Sequence, residues 1–226
     1  MEESTLTVVM PAHNEVEAIV PCINEVRSAL PDATLIVVDD GSTDGTSAAL
    51  ETVKASDQLM VLRHSSRRGY GASLKTGMHA ARTSLVGFMD ADLTYDAAGF
   101  SRMLPLLSNG AECVSMDRFG STANEMPALR KFGNKMLTFA FNRITGAGVP
   151  DCASGQWLFT RAALIRVNPE TLPDGPGFIG GLAARVVRRG IRHAVIPVEY
   201  RRRVGRSKLR SVSGFFSILY PVMKEL

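Results

Sequence analysis

Short apolar runs alternate with stretches of helical spacing through the first hundred residues. Thr5 to Met10 (TLTVVM) is apolar at nearly every position and stops at Pro11, the pattern of a buried strand closed by a residue without an N–H. Ile19, Ile23, Val26 and Leu30 then recur at helical spacing, predicting a helix over 15–30. Thr34 to Val38 is a second buried strand, and GSTDGT from Gly41 supplies capping residues for a helix over 44–55. Leu59 to Leu62 predicts a third strand, a Gly-rich turn opens a helix over 69–81, and Leu85 to Met89 is a fourth strand running into Asp90.

This β-α order predicts an α/β fold, a mostly parallel central sheet with helices on both faces, in which ligands bind beyond the carboxyl ends of the strands. Pro11 to Glu15, Asp39 to Ser42 and Asp90 to Thr94 all fall at that edge. After Phe100 the pattern predicts a helix near 97–108, a strand near 111–116, a long helix near 126–143 and a Gly/Pro-punctuated stretch from 145 to 181. No repeat and no low-complexity linker interrupts the chain.

The strand ends carry the chemistry. Asp90 and Asp92 are two apart in an extended segment, so both carboxylates leave on one side of the backbone. No Lys or Arg nearby in sequence pairs them, and a cation between them relieves their repulsion. Hard oxygen ligands suit Mg²⁺ or Mn²⁺ completed by substrate phosphate oxygens. Asp39 and Asp40 end the second strand; one of them can accept hydrogen bonds from a base or ribose, while Asp44 reads as a helix cap. The turn Arg67-Arg68-Gly69-Tyr70-Gly71 could present amides to phosphate, yet neither GxGxxG nor GxxxxGK[ST] is present.

Composition narrows this little; charge and cysteine placement narrow it more. The 226 residues suit one domain of ordinary globular composition. Cys22, Cys113 and Cys152 lie far apart with no metal-ligand spacing, which fits a reducing cytoplasm. No signal peptide and no span of the roughly 18–20 apolar residues a membrane helix needs is evident. Residues 185–210 hold ten basic side chains against one acid, Glu199, pointing to a polyanionic partner; without interleaved aromatic residues, nucleic acid is not expected.

PAHNE (11–15), VVDDGSTDGT (37–46), RGYGASLKTG (68–77), MDADLTYD (89–96), DCASG (151–155) and VGRSKL (204–209) together resemble family 2 glycosyltransferases, most closely the dolichol- or polyprenyl-phosphate mannose and glucose synthase branch. The likeness runs from about residue 6 to 210. It implies a GT-A (Rossmann-like) fold, a GDP- or UDP-sugar donor and inversion at the anomeric carbon. It implies a catalytic domain over 1–210, with a nucleotide-binding half to about 118 and an acceptor-binding half from 119, and a C-terminal amphipathic segment over 211–226. By position, Pro11, His13, Asn14, Glu15, Asp40 and Lys75 fall on the donor side. Asp90, Ala91 and Asp92 would hold the metal (Mg²⁺ or Mn²⁺) and diphosphate. Arg118, Arg130, Ser154 and Gln156 fall on the acceptor or phosphate side, with Arg202 or Arg203, Ser207 and Lys208 in a basic loop that closes over the site. Planar guanidinium forks suit phosphate on physical grounds as well.

Thr94 stands where relatives often have a Gln on the metal, which makes Asp92 the ligand expected to be essential. Gln156-Trp157 and Ala183 depart from the branch on the acceptor side. A lipid phosphate is already anionic and needs no base, whereas a hydroxyl acceptor would need one, and Asp151 is then the candidate. The acceptor is therefore a lipid phosphate or, alternatively, a small hydroxyl-bearing metabolite; a sugar nucleotidyltransferase is the remote third reading, and it would want a Gly-rich basic loop after the first strand. His64, His79 and His193 read as structural. Val212 to Met223 is largely apolar beside the basic block, a pattern for peripheral contact with an acidic membrane surface on the cytoplasmic side or for packing on the protein or in a homodimer.

Overall fold

The computed structural model describes residues 5–53, 58–205 and 211–225. Seven strands form one sheet: β1 (Leu6–Ala12), β2 (Thr34–Asp39), β3 (Leu59–Arg63), β4 (Leu85–Met89), β5 (Cys113–Asp117), β6 (Gln156–Thr160) and β7 (His193–Pro197). Their order is β3-β2-β1-β4-β6-β5-β7. β1 to β4 pair in parallel, β5 pairs in parallel with β7, and β6 lies antiparallel between β4 and β5. The GT-A-type α/β sheet expected from the sequence is thus present, with one reversed strand near its middle.

Alternation on the strands divides the core. Val8, Met10, Leu35 and Val37 pack towards α1 (Ile19–Ala29), α2 (Thr46–Thr52) and α4 (Gly99–Ser108). Val9, Ile36 and Val38 face α3 (Tyr70–Ala80), and the same layer holds α5 (Ala128–Thr145), α6 (Arg161–Val167), α7 (Gly177–Arg188) and α8 (Ser211–Lys224). Burial on both faces is why β1, β2 and β4 read as unbroken apolar runs.

One element differs from expectation. Pro11 lies inside β1 instead of closing it, paired across from Val38. The pairing of β1 with β4 ends at Val9, so the missing N–H falls where one side of the strand no longer has a ladder to complete. The Gly/Pro-punctuated stretch from 145 to 181 contains β6, α6 and the start of α7.

α8 is packed into the fold. A Cβ at Gly177 would come 2.4 Å from the Ser217 carbonyl oxygen, and one at Gly180 would come 2.3 Å from that of Ile218. Glycines on α7 thus let two helix backbones approach closely. Ile218, Leu219 and Val222 are buried in that contact.

The basic run of residues 185–210 is not one patch. Arg185 is buried and pairs with Glu225, Arg192 pairs with Glu112, and Arg201 reaches Glu25 and Asp96. Among the described residues of this run, Arg185, Arg192 and Arg201 are drawn into ion pairs with acids of other elements, and Arg206, Lys208 and Arg210 lie outside the described residues.

Candidate active site

The carboxyl ends of β1, β2 and β4 converge, and the loops that leave them are tied to one another. Asn14 adopts φ +54°, a left-handed conformation Asn tolerates. Its Oδ1 accepts from the Thr43 amide at 2.7 Å, and its amide donates to Ser42 Oγ at 3.0 Å. The Glu15 amide donates to Thr46 Oγ1 at 2.8 Å, while Asp44, one residue before the N-cap Gly45 of α2, accepts from the amides of Thr46 and Val16. His13 Nδ1 meets the Asp40 carbonyl oxygen at 2.9 Å. Asp39 accepts from the Ser42 amide and the Ser47 hydroxyl.

Asp40 turns towards α3. Its two oxygens accept from the amides of Arg68 and Gly69, each at 2.8 Å, and His64 Nδ1 lies 2.7 Å from Oδ1. Burial pushes this carboxyl up, but these hydrogen bonds outweigh it and hold the group below the usual carboxylate range. His64 is itself held by Thr76 Oγ1 at 3.0 Å. Asp40 therefore braces the turn that opens α3, and His64 fixes Asp40.

The Asp90-Ala91-Asp92 segment leaves β4 against the start of β6. The Asp90 amide donates to the Gly155 carbonyl oxygen at 3.1 Å, and Oδ1 accepts from the Tyr70 hydroxyl at 2.9 Å. Ala91 is buried, and Leu93 takes φ +62°, a strained turn that aims Asp92 inward. Asp92 Oδ1 accepts from Thr94 Oγ1 at 2.5 Å and the Thr94 amide at 3.1 Å. Burial first, and the nearby Asp92 charge second, raise the Asp90 carboxyl to about 7 against the opposing pull of Tyr70, Arg203 and Arg118.

A cation sits between Asp92 and Glu15, and it is a guanidinium from far along the chain. Arg203 Nη1 donates to Asp92 Oδ2 at 2.6 Å and Nη2 to Glu15 Oε1 at 2.5 Å. The strand-like segment 200–204 delivers it: the Arg201 amide bonds the Thr94 carbonyl oxygen and the Val204 amide that of Asp92. Arg202 points outward, its amide bonding Glu125 Oε2 at 2.6 Å, so of the two adjacent arginines Arg203 enters the site. Ser207 and Lys208 lie outside the described residues.

Among the described residues no three His, Cys, Asp or Glu side chains converge as a metal cage. The donor set is Asp90 and Asp92, hard oxygens too few for a resident ion but suited to Mg²⁺ or Mn²⁺ that arrives with phosphate oxygens. The residues present fit such an ion.

The second half of the site is built around Arg118, which follows β5. Its Nε and Nη2 donate to Asp151 Oδ2 and Oδ1 at 2.6 and 2.7 Å, a buried bidentate pair. The amides of Ala153 and Arg118 also donate to Asp151. Both oxygens of Asp151, the base expected for a hydroxyl acceptor, are thus taken by donors in this arrangement. Ser154 and Gln156, expected on the acceptor side, are fully buried, with Gln156 Nε2 donating to the Asp96 carbonyl oxygen at 3.1 Å. Ala183 is buried in α7. Arg130 is half-buried in the first turn of α5, close enough to Tyr200 for its charge to be felt there.

Lys75, expected on the donor side, is held on α3 by the loop before α7. Its ammonium pairs with Asp174 at 2.6 Å and donates to the carbonyl oxygens of Leu172 and Glu170, clamping the loop before α7. Tyr70 and Tyr95, which hold Asp90 and Gly155, were not singled out from sequence, and His64, read there as structural, holds Asp40. Tyr95 Oη accepts from the Gly155 amide at 2.6 Å. The signals that could have found the tyrosines were their places in RGYG and DLTYD, beside the residues they hold.

Residues 7–167 match the model of the family described as "Glycosyl transferase family 2". The chain is 31% identical over 194 residues to "Glycosyltransferase AglJ" of Haloferax volcanii, covering 85% of this chain and 62% of that protein. It is 27% identical over 219 residues to the "Dolichyl-phosphate hexose transferase" of the same organism, covering 97% and 92%. Glucosyl-3-phosphoglycerate synthase from Mycobacterium tuberculosis, solved with Mn²⁺, UDP and glucosyl-3-phosphoglycerate, superposes with a TM-score of 0.75 at 23% identity, over 98% of this chain and 79% of that one, a likeness of fold.

Proposed function

This chain is a member of glycosyl transferase family 2, and we propose that it moves a hexose, with inversion, from a GDP- or UDP-linked sugar to a polyprenyl phosphate. The observation that carries the choice of acceptor is the Arg118–Asp151 pair. A neutral hydroxyl needs a base with an oxygen to spare, and Asp151 has none. A lipid phosphate is its own nucleophile and needs cations to hold it, and Arg118 and Arg130 stand on that side. The kinship with a dolichyl-phosphate hexose transferase over 97% of the chain supports the same reading.

The donor's nucleoside lies over Pro11, His13, Asn14 and Glu15, with Asp40 and His64 holding the α3 turn beneath it. Asp90 and Asp92 would hold Mg²⁺ or Mn²⁺, which would supply charge neutralisation for the leaving diphosphate. Thr94 and Tyr70 keep the two carboxylates aimed. Arg203 exchanges Asp92 and Glu15 for diphosphate oxygens, a switch its fork geometry favours. In-line attack then needs the acceptor phosphate opposite the diphosphate.

The test is a matrix of GDP-mannose, UDP-glucose and UDP-N-acetylglucosamine against polyprenyl phosphate and candidate alcohols, with Mn²⁺, Mg²⁺ or EDTA. Transfer to the phosphate acceptor, abolished by EDTA and lowered at least ~100-fold in Asp92→Ala, is expected. Transfer to alcohols alone, or transfer indifferent to EDTA, would overturn the acceptor or the metal reading respectively.

A further inference from the structure

Three segments far apart in the chain close on one guanidinium. Glu15 follows β1, Asp92 follows β4, and Arg203 lies in the segment after β7. Arg203 Nη1 donates to Asp92 Oδ2 at 2.6 Å and Nη2 to Glu15 Oε1 at 2.5 Å. The side chains of Arg203, Asp92 and Glu15 are only 21%, 5% and 8% exposed, so water and salt screen these contacts weakly. Two buried carboxylates from different loops repel each other, and one planar fork neutralises both.

The same geometry closes the centre to an ion. Both oxygens of Asp92 are engaged: Oδ1 accepts from the Thr94 hydroxyl at 2.5 Å and the Thr94 amide at 3.1 Å, and Oδ2 accepts from Arg203. Asp90 Oδ1 accepts from Tyr70, and Oδ2 faces Gly155, where a Cβ would stand 2.1 Å away. A divalent ion approaching Asp92 also meets a like charge at the oxygen it needs, where little water weakens the repulsion. It has to break the Arg203–Asp92 bond, and alone it gives the freed guanidinium nothing in return. A diphosphate does, because its oxygens present the flat, twofold acceptor pattern that a carboxylate presents.

The grip of Arg203 is also incomplete. Its Nε is buried without an acceptor, so the closed arrangement leaves one donor unsatisfied. The backbone around it is pinned, with the Arg201 amide on the Thr94 carbonyl oxygen and the Val204 amide on that of Asp92, each at 3.1 Å. Rotation of the side chain therefore opens the centre while the segment stays on the Asp92 loop.

We propose that Arg203 is an autoinhibitory counter-ion. It stands in for the divalent cation at Asp92, keeps the ion from binding alone, and yields when ion and nucleoside diphosphate arrive together. The proposal rests on the reading of Asp90 and Asp92 as the ion-binding pair and adds what governs access to it. The centre is thereby selective for the metal–nucleotide complex over the free ion. After transfer, the return of Arg203 to Asp92 competes with the ion and favours release of the nucleoside diphosphate.

The experiment is equilibrium dialysis of the full chain against Mn²⁺ alone and against Mn²⁺ with GDP or UDP, counting the ion bound to protein. The wild type is expected to bind Mn²⁺ at least about tenfold more tightly with nucleotide than without it. Arg203→Gln should bind Mn²⁺ alone at least about tenfold more tightly than the wild type, and should gain less from nucleotide. Arg202→Gln removes a neighbouring charge that points outward and should bind as the wild type does. An equal gain in that variant would reduce the effect to net charge and overturn the proposal. Asp92→Ala/Arg203→Gln should lose the gain; keeping it would place the ion elsewhere and overturn the proposal too. Arg203→Lys offers one point charge to two carboxylates, should show part of the gain, and decides the matter if Arg203→Gln does not fold. Nucleotide-dependent binding by the wild type with no gain in either Arg203 variant would sink the counter-ion role and leave the ion site standing. Absence of Mn²⁺ binding throughout, nucleotide included, would remove the ion site itself and the proposal with it.

Discussion

Arg118, Arg203 and His64 each hold a carboxylate that sequence marked as chemical: Asp151, Asp92 and Asp40. The partners lie 33, 111 and 24 residues away along the chain. Local spacing therefore showed the acids at the strand ends but not what neutralises them, since a motif carries its own periodicity and no register with distant segments. That is why Asp151 read as an available base and the Asp90/Asp92 pair as unpaired. The Arg118–Asp151 pair is also the most costly to break. Arg118→Ala would strand a buried charge, and a loss of about 3–5 kcal/mol is expected. Removing Asp151 as well should return part of it, because the double variant buries no orphan. Urea unfolding of the four proteins gives the coupling directly; equal losses in Arg118→Ala and Arg118→Ala/Asp151→Ala would mean that the pair is not what stabilises this loop.

At the scale of elements, the strands buried on both faces were legible and β6 was not. β6 begins with Gln156, follows a Ser-Gly pair and spans only five residues, so its apolar signal is brief and its first position polar. Gln156 is tolerated there because its side-chain amide reaches the Asp96 carbonyl oxygen. Trp157 on β6 stacks on His193 of β7 across the intervening β5, with centroids 4.9 Å apart, and His193 Nε2 bonds Ser115 Oγ at 2.8 Å. Burial lowers the imidazole to about 4. The unfolded chain, with an ordinary His near 6.5, takes up the proton first, so stability is full above about 6.5 and falls as the pH drops towards 4. His193→Phe should keep the stack and lose that part of the acid sensitivity, read as Tm against pH; an unchanged slope would remove His193 as its source. The α7–α8 contact offers a separate check. With backbone only 2.3 Å from a Cβ at position 180, Gly180→Ala is expected to cost about 1–3 kcal/mol by forcing the helices apart, measured by urea unfolding.

Across the whole molecule the sheet has a parallel part and a part beyond the reversed strand β6, and in the proposed function the site lies on their seam. The parallel part, β3-β2-β1-β4, carries the loops proposed to bind the donor, and β6-β5-β7 carries Arg118, proposed to face the acceptor. The antiparallel β4–β6 pairing joins them, and its last registered pair, Met89 and Gln156, stands directly before Asp90 and after Gly155. Here the Asp90 amide bonds Gly155, the Gly155 amide bonds the Tyr95 hydroxyl, and a Cβ on Gly155 would lie 2.1 Å from Asp90 Oδ2. Only a glycine lets the carboxylate sit where Tyr70 can hold it. Gly155→Ala must either turn Asp90 away from Tyr70 or slide β6 along β4, and both disturb the distance between donor and acceptor. Because a shift near 1 Å in such a geometry can cost on the order of a hundredfold in rate, kcat/KM should fall by about that factor. The expected loss of stability is only about 1–3 kcal/mol, so the variant should remain folded in the assay. Measuring kcat/KM and the urea midpoint on the same preparation separates the two effects. Wild-type turnover from a destabilised Gly155→Ala would mean that Asp90 can leave its place on Tyr70 without consequence, and that Asp92 alone sets the diphosphate.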